Sequence, residues 1–363
     1  MVQLFKTITL ILLLLISCLN ANELNEQEIK KLIGRSIIIG FDGLTLTSNL
    51  KKNIDKYNLG GVILFDKDYK TKNIKNIKNP QQLKKLTFDI QSYSKYKILI
   101  SIDQEGGKVS RLNPKNGFSQ IPSAKDISTK NIHEAKKEYK KLARNLKQEG
   151  INLNFAPVVD LAINPNNKVI VQLERSYSKN PTEVVKYASV FIEEQNRYGI
   201  KSVIKHFPGH GSSNTDSHKG FVDITNTWDE KELIPYKQLI KDNKVDFIMT
   251  AHVFNKKLDN KYPATLSSKI NTNLLRKKLK FKGIIISDDL QMKAITKHYS
   301  LRERLKLAIN SGVNILLFGN QLEKNDLKTI INTIYDLIEK KEINLSKIIE
   351  SNKLIKNIID KKQ

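Results

Sequence analysis

The stretch IKHFPGHGSSNTDSH, residues 204–218, holds half of the chain's six histidines together with Lys205 and Asp216. Imidazoles beside a carboxylate can bind a metal or move a proton, and a glycine-rich turn can cradle phosphate. The phosphate reading fails because FPGHGSSN lacks the Gly-Lys-Ser/Thr ending. A metal reading would take His206, His210, His218 and Asp216 as ligands, but His210 sits between two glycines and no H-E-x-x-H spacing exists. No metal is therefore expected, and an acid/base loop is the better reading. Polar groups of the same kind end other apolar runs: Asp103, Asp160, Lys205 with His206, His252, and Asp288 with Asp289. Any one of them could merely satisfy a core. Five such ends together point to a pocket.

The elements that must position these residues are legible as alternating apolar runs and helical stretches. The runs are SIIIGF (36–41), GVILF (61–65), ILISID (98–103), LNFAPVVD (153–160), SVIKHF (202–207), DFIMTAH (246–252), GIIISDD (283–289) and NILLFG (314–319). They are near-continuously apolar, as strands buried on both faces of a parallel sheet must be. Between them, residues 133–150 place Ala135, Tyr139, Leu142, Ala143 and Leu146 on one helical stripe and end at Gly150. Residues 180–199 open on Asn180-Pro181 and close on Gly199, and 301–312 also ends in glycine. Eight strands alternating with helices predict an α/β fold, a single-domain (β/α)8 TIM barrel with its active site at the C-terminal strand ends. An open doubly wound sheet is the alternative, but no Gly-rich dinucleotide fingerprint follows the first strand. Residues 66–80, rich in Lys and Asn, are expected to form a surface loop. The residues after 319 are expected to be mostly helical, without a second catalytic domain.

Of 363 residues, 39% are hydrophobic and 27% charged, a globular composition. Residues 1–21 read as a secretory signal peptide: Lys6, the apolar run ITLILLLLI (8–16), then small residues. The run is too short to span a bilayer comfortably. LISC resembles a bacterial lipobox, which would make Cys18 a lipid anchor; ordinary cleavage after Ala21 would discard it. Either way the mature domain, 22–363, has no disulfide, because Cys18 is the only cysteine. The protein is expected to be exported and periplasmic. Lys and Arg total 62 against 37 Asp and Glu, a net charge of +25. The lysines are scattered, which argues for a solvated basic surface rather than a nucleic-acid site.

The combination IDQEGGKVSR (102–111), KHFPGHG (205–211) with DSH (216–218), MTAH (249–252) and SDDLQM (287–292) resembles glycoside hydrolase family 3. Within that family it is similar to the single-domain exo-β-N-acetylglucosaminidases of the peptidoglycan-recycling type. The resemblance implies a retaining glycosidase acting on muropeptides or other amino-sugar oligosaccharides, without a cofactor and as a monomer. It implies Asp288 as nucleophile, His218 as general acid/base and Asp216 as its partner. Asp103, Arg111, Arg175, Lys205 and His206 would hold the terminal sugar. Lys108 stands where the family usually has arginine, and the segment before Arg175, NKVIVQLERSYS, is spaced differently from the family's compact form. Asp289 adjoins the nucleophile, and strand alternation would let only one of the two face the pocket. Pro208, Gly209 and Gly211 would shape a mobile loop carrying Asp216 and His218. The alternatives are a family 3 β-glucosidase-like hydrolase, which usually carries a second domain and an SDW-like nucleophile strand, and an inactive glycan-binding barrel.

Overall fold

The eight apolar runs form eight parallel strands: β1 (Ile37–Gly40), β2 (Gly61–Leu64), β3 (Leu99–Ile102), β4 (Leu153–Asn154), β5 (Lys201–Phe207), β6 (Phe247–Thr250), β7 (Ile284–Ser287) and β8 (Leu316–Phe318). The structure, a computed structural model, describes residues 24–215 and 220–360. The expected signal segment with Cys18, and the pair Asp216 and His218, lie outside the described residues. The strand order is β7-β6-β5-β4-β3-β2-β1-β8. The outer two strands meet through a parallel bridge between Ile286 and Ile315, with Ser287 N–H donating to Ile315 O at 3.0 Å. That contact closes the barrel and removes the sheet edges.

Two separate cores explain why the runs are not alternating. Ile38, Ile63, Leu99, Phe155, Val203, Met249, Ile286 and Leu317 fill the barrel interior, and Ile355 and Ile359 of the last helix (Leu345–Ile359) join them. Their sequence neighbours, among them Ile37, Val62, Ile100, Ile204, Ile248 and Ile285, pack outward in the larger cluster that includes the helices. Each strand therefore buries both faces, a layer inside and a layer outside.

The helices start and stop where their end residues dictate. Asn131 and Glu134 form a reciprocal cap at the start of Ile132–Gln148, whose buried residues are Ala135, Tyr139, Leu142, Ala143 and Leu146. Asn180 caps Pro181–Arg197, and the chain turns at Gly199 with φ +75°. Residues 69–74 are exposed, as expected of the surface loop at 66–80, but the loop then dips inward. Lys75, Asn76 and Ile77 are buried. The Asn76 amide donates to Phe41 O (3.0 Å) and Gly43 O (3.1 Å), and its oxygen accepts from Phe65 N–H (3.1 Å), so the loops after β1 and β2 are tied together. A polar sequence was read as exposed, but here its polar groups satisfy backbone groups inside.

Candidate active site

A cleft of about 480 Å³ opens at the C-terminal ends of the strands, within the range of small-molecule sites. Its floor is the top of the barrel core, where Ile63, Phe155, Met249 and Leu317 present an apolar surface. Its walls are polar, and each polar group comes from a strand end or the loop after it. Asp103 follows β3, Lys205 and His206 lie in β5, Asp288 follows β7, and Arg111 and Arg175 reach in from the loops after β3 and β4. The structure thus gathers Asp103, Arg111, Arg175, Lys205, His206 and Asp288 around one cavity.

The charges are arranged as a chain. The Lys205 ammonium is 2.7 Å from Asp103 Oδ1 and 2.7 Å from Glu105 Oε1. Glu105 in turn receives both arms of Arg175, Nε to Oε2 at 2.7 Å and Nη2 to Oε1 at 2.8 Å. Arg111 approaches Asp103 Oδ2 at 3.8 Å. Burial alone would push the Glu105 carboxyl up. Arg175 and Lys205 outweigh it and hold Glu105 well below the usual carboxylate range. Glu105 escaped notice in the sequence although it lies within IDQEGG, because it sits in a short hairpin after the strand, not at a strand end. The signal was the pair of glycines behind it. Gly106 (φ +102°) and Gly107 (φ +55°) pass so close to residues 122 and 123 that a Cβ would come within 2.2 Å of Pro122 O or 2.5 Å of Ser123 Cβ.

Arg175 enters the cavity despite its unusual spacing because its loop is internally bonded. The Asn167 side chain accepts from Val169 N–H (3.0 Å) and Ile170 N–H (2.9 Å), Arg175 N–H donates to Ile170 O (3.0 Å), and Arg175 Nη1 donates to Val169 O (2.9 Å).

Asp160 lies fully buried behind the wall. Its carboxylate is 2.6 Å from His206 Nδ1 and accepts His210 N–H at 2.8 Å. Burial opposes its charge, but His206 and the hydrogen bonds keep Asp160 below its ordinary range. An ionised Asp160 accepts from His206 Nδ1 and orients the ring, with Nε2 3.4 Å from Arg175 Nη2. His210 faces elsewhere: its Nδ1 is 2.7 Å from Ser213 Oγ, and burial pushes its imidazole down to about 4, so it is neutral.

The loop after β5 was expected to be mobile. Through Ser213 it is instead buried and fastened from three sides. Asn167 donates to His210 O (2.8 Å) and Gly211 O (3.2 Å), Trp228 Nε1 donates to Pro208 O (3.2 Å), and Glu232 Oε2 accepts Gly211 N–H (2.9 Å). Glycine and proline there serve close packing: a Cβ at Gly209 would meet Glu232 Cβ at 2.6 Å, and one at Gly211 would meet Leu161 O at 1.8 Å.

Asp288 and Asp289 both line the cleft, so strand alternation did not separate them. The reason is that β7 ends at Ser287, before either aspartate. Hydrogen bonds separate them instead. Asp289 Oδ1 accepts from Gln291 N–H (3.0 Å) and Gly319 N–H (3.2 Å), which turns this carboxylate toward the loop after β8. Asp288 Oδ1 accepts Asp289 N–H at 2.7 Å. His252 holds this turn from below, with Nε2 2.9 Å from Asp289 O and Nδ1 2.8 Å from Thr265 Oγ1.

The model of the glycosyl hydrolase family 3 N-terminal domain matches residues 24–358. Beta-hexosaminidase A of Pseudoalteromonas piscicida is 32% identical over 339 residues, covering 85% of this chain and 54% of that protein. The beta-hexosaminidase of Tolumonas auensis is 35% identical over 295 residues, covering 78% of this chain and 82% of that protein. Among solved structures, a family 3 β-N-acetylglucosaminidase from a Paenibacillus species superposes with a TM-score of 0.82 at 30% identity, covering 92% of this chain and 63% of that one. The chain thus spans about half the length of the first relative and under two thirds of the Paenibacillus protein. With the family model matching nearly all of the described barrel, the chain belongs to glycosyl hydrolase family 3, whose members hydrolyse O-glycosyl bonds.

Proposed function

We propose that the protein is a retaining exo-β-N-acetylglucosaminidase that removes non-reducing terminal N-acetylglucosamine from muropeptides or chitooligosaccharides. The observation that carries this reading is the convergence of a strand-end aspartate, Asp288, with a ring of donors and acceptors over an apolar floor. Sugar hydroxyls both donate and accept hydrogen bonds. Asp103 supplies acceptors, while Lys205, Arg111 and Arg175 supply permanent donors. The apolar face of the ring would rest on Phe155 and Met249. Val169 and Ile170, beside Arg175, would take the acetamido methyl. Relatives bearing the name beta-hexosaminidase support this choice of sugar.

In the proposed reaction Asp288 attacks the anomeric carbon while the leaving oxygen takes a proton from His218. Water then displaces Asp288, with His218 as base, and configuration is retained. An imidazole titrates near neutrality and can serve both steps, with Asp216 steadying its charged form. The proposed setting is the periplasm, after export through residues 1–21, with Cys18 as the lipid attachment point if that segment is processed as a lipoprotein signal. The test is digestion of purified muropeptides and chitooligosaccharides followed by mass spectrometry. Loss of one N-acetylhexosamine per step from the non-reducing end supports the reading. Internal cleavage, or no cleavage of any of them, refutes it.

A further inference from the structure

Away from the cleft, unpaired positive charge gathers on two neighbouring outer helices, Pro80–Tyr93 and Ile132–Gln148. Thr87 Oγ1 of the first donates to Glu149 O just beyond the second (2.7 Å), so the two lie side by side. The buried residues of Ile132–Gln148 take one side of that helix and leave Lys137, Lys140, Lys141, Arg144 and Lys147 exposed. The first four of these cations line a concavity of about 430 Å³ that no carboxylate enters. A second concavity, of about 600 Å³, lies at the lower end of the helix pair, where Lys97 and Lys147 share its wall with Gln91. Lys97 stands just before β3 and Lys147 before β4, so this is the end of the strands away from the cleft.

The acids that could neutralise this face are engaged or turned inward. Asp89 pairs with Lys85 at 2.8 Å, Glu134 caps its own helix, one oxygen of Glu138 is buried, and Glu149 is buried. The five exposed cations of Ile132–Gln148 form no ion pair with one another's neighbours on this face among the described residues. Beside them projects an apolar side chain that packing does not explain. Phe88 is 68% exposed, the most open large hydrophobic side chain among the described residues. It follows Thr87 directly and stands one helical turn after the exposed Lys84, so it lies on the flank turned toward the basic helix.

We infer that the outward face of these two helices docks on an anionic bilayer, with Phe88 entering the headgroup–acyl boundary and the lysines and Arg144 meeting lipid phosphates. The inference goes beyond the glycosidase reading and does not depend on catalysis. Charge alone would suit any polyanion; the open phenyl ring decides for a bilayer, because only an interface rewards an apolar group set among cations. The first helix, Glu26–Arg35, lies across the same end of the barrel, with Gln27 Nε2 donating to Lys56 O and Arg35 Nη2 to Lys97 O (2.9 Å). Docking there keeps the cleft, at the other end of the strands, open to substrate.

The test is co-sedimentation of the mature chain, residues 22–363, which lacks Cys18 and so carries no lipid. The probes are vesicles of phosphatidylcholine alone, vesicles of phosphatidylcholine mixed with phosphatidylglycerol, and soluble inorganic polyphosphate. Wild type should bind the phosphatidylglycerol vesicles and not the neutral ones, and binding should weaken as salt rises. Phe88→Ala should lower vesicle affinity by on the order of tenfold and leave polyphosphate binding unchanged. The triple variant Lys137→Gln, Lys140→Gln, Arg144→Gln should lose about fivefold for each cation, on the order of a hundredfold together. Lys277→Gln, Lys278→Gln, Lys282→Gln removes equal charge beside β7, across the barrel, and should bind nearly as wild type does; circular dichroism of every variant should match wild type. No binding to phosphatidylglycerol vesicles would overturn the inference. Unchanged vesicle binding in Phe88→Ala would replace it by a site for a soluble polyanion, and equal losses in the two triple variants would replace it by net charge alone.

Discussion

Replacing Glu105 by Gln keeps the shape of the side chain and removes its charge. In the folded protein that charge lies between two buried cations, 2.7 Å from both Arg175 Nε and Lys205 Nζ. Lys205 would keep Asp103, whereas Arg175 would keep only neutral partners such as Val169 O. Removing one partner of a buried pair costs about 3–5 kcal/mol, because the remaining charge is left uncompensated. An unfolding entropy of about 2.1 cal/mol/K per residue over roughly 340 residues gives about 0.7 kcal/mol/K. Glu105→Gln should therefore lower the midpoint of thermal unfolding by about 4–7 °C at pH 7. Differential scanning fluorimetry reads this directly, with Glu174→Gln as control, since the half-exposed Lys108–Glu174 pair should change the midpoint by about 1 °C or less. The pH dependence carries its own sign. Glu105 is held below its unfolded value of 4.5, so its contribution is complete above pH 4.5 and fades as pH falls below it. The gap between wild type and Glu105→Gln should narrow only in acid. A variant that unfolds with the wild type at pH 7, or a gap that widens as pH falls, would refute the reasoning.

Asp288→Ala should abolish turnover of p-nitrophenyl N-acetyl-β-glucosaminide while the circular dichroism spectrum stays that of the wild type; a wild-type rate would remove Asp288 as the nucleophile. His218→Ala should slow disaccharides far more than the p-nitrophenyl glycoside, whose leaving group needs little protonation, and equal losses would count against His218 as the acid. Asp160→Asn should lower kcat/KM by on the order of 10²-fold, because His206 loses the partner that orients its ring; a pH–rate profile and rate identical to wild type would show that the ring is held by something else. Glu232, buried beneath the loop after β5, is pushed up to about 7, mainly by burial. Because its folded value lies above the unfolded 4.5, the stability it contributes is complete below pH 4.5 and lost as pH rises through 7. Wild-type unfolding midpoints should therefore fall relative to Glu232→Gln between pH 5 and 8, and parallel curves would contradict the burial argument.

The barrel was legible in the pattern of apolar runs. Eight continuous apolar runs separated by capped amphipathic stretches allow few arrangements in which both faces of every strand are covered, and the barrel is the one found. The sequence also located the site in outline, because residues at strand ends are brought together by the fold whatever their loops do. Asp103, Lys205, His206 and Asp288 belong to this class. Other features depended on how loops fold back, which local periodicity does not encode. Glu105 sits in a hairpin whose direction is set by two glycines packed against residues 122 and 123. The difference between Asp288 and Asp289 depends on Gly319 from another loop. The loop after β5 reads as mobile from its glycines, yet Asn167, Trp228 and Glu232, brought up from elsewhere in the chain, use its backbone groups and fill the space those glycines leave. Local chemistry therefore told which groups could act. Only long-range hydrogen bonds and close packing decided which of them face the cleft and which hold the others in place.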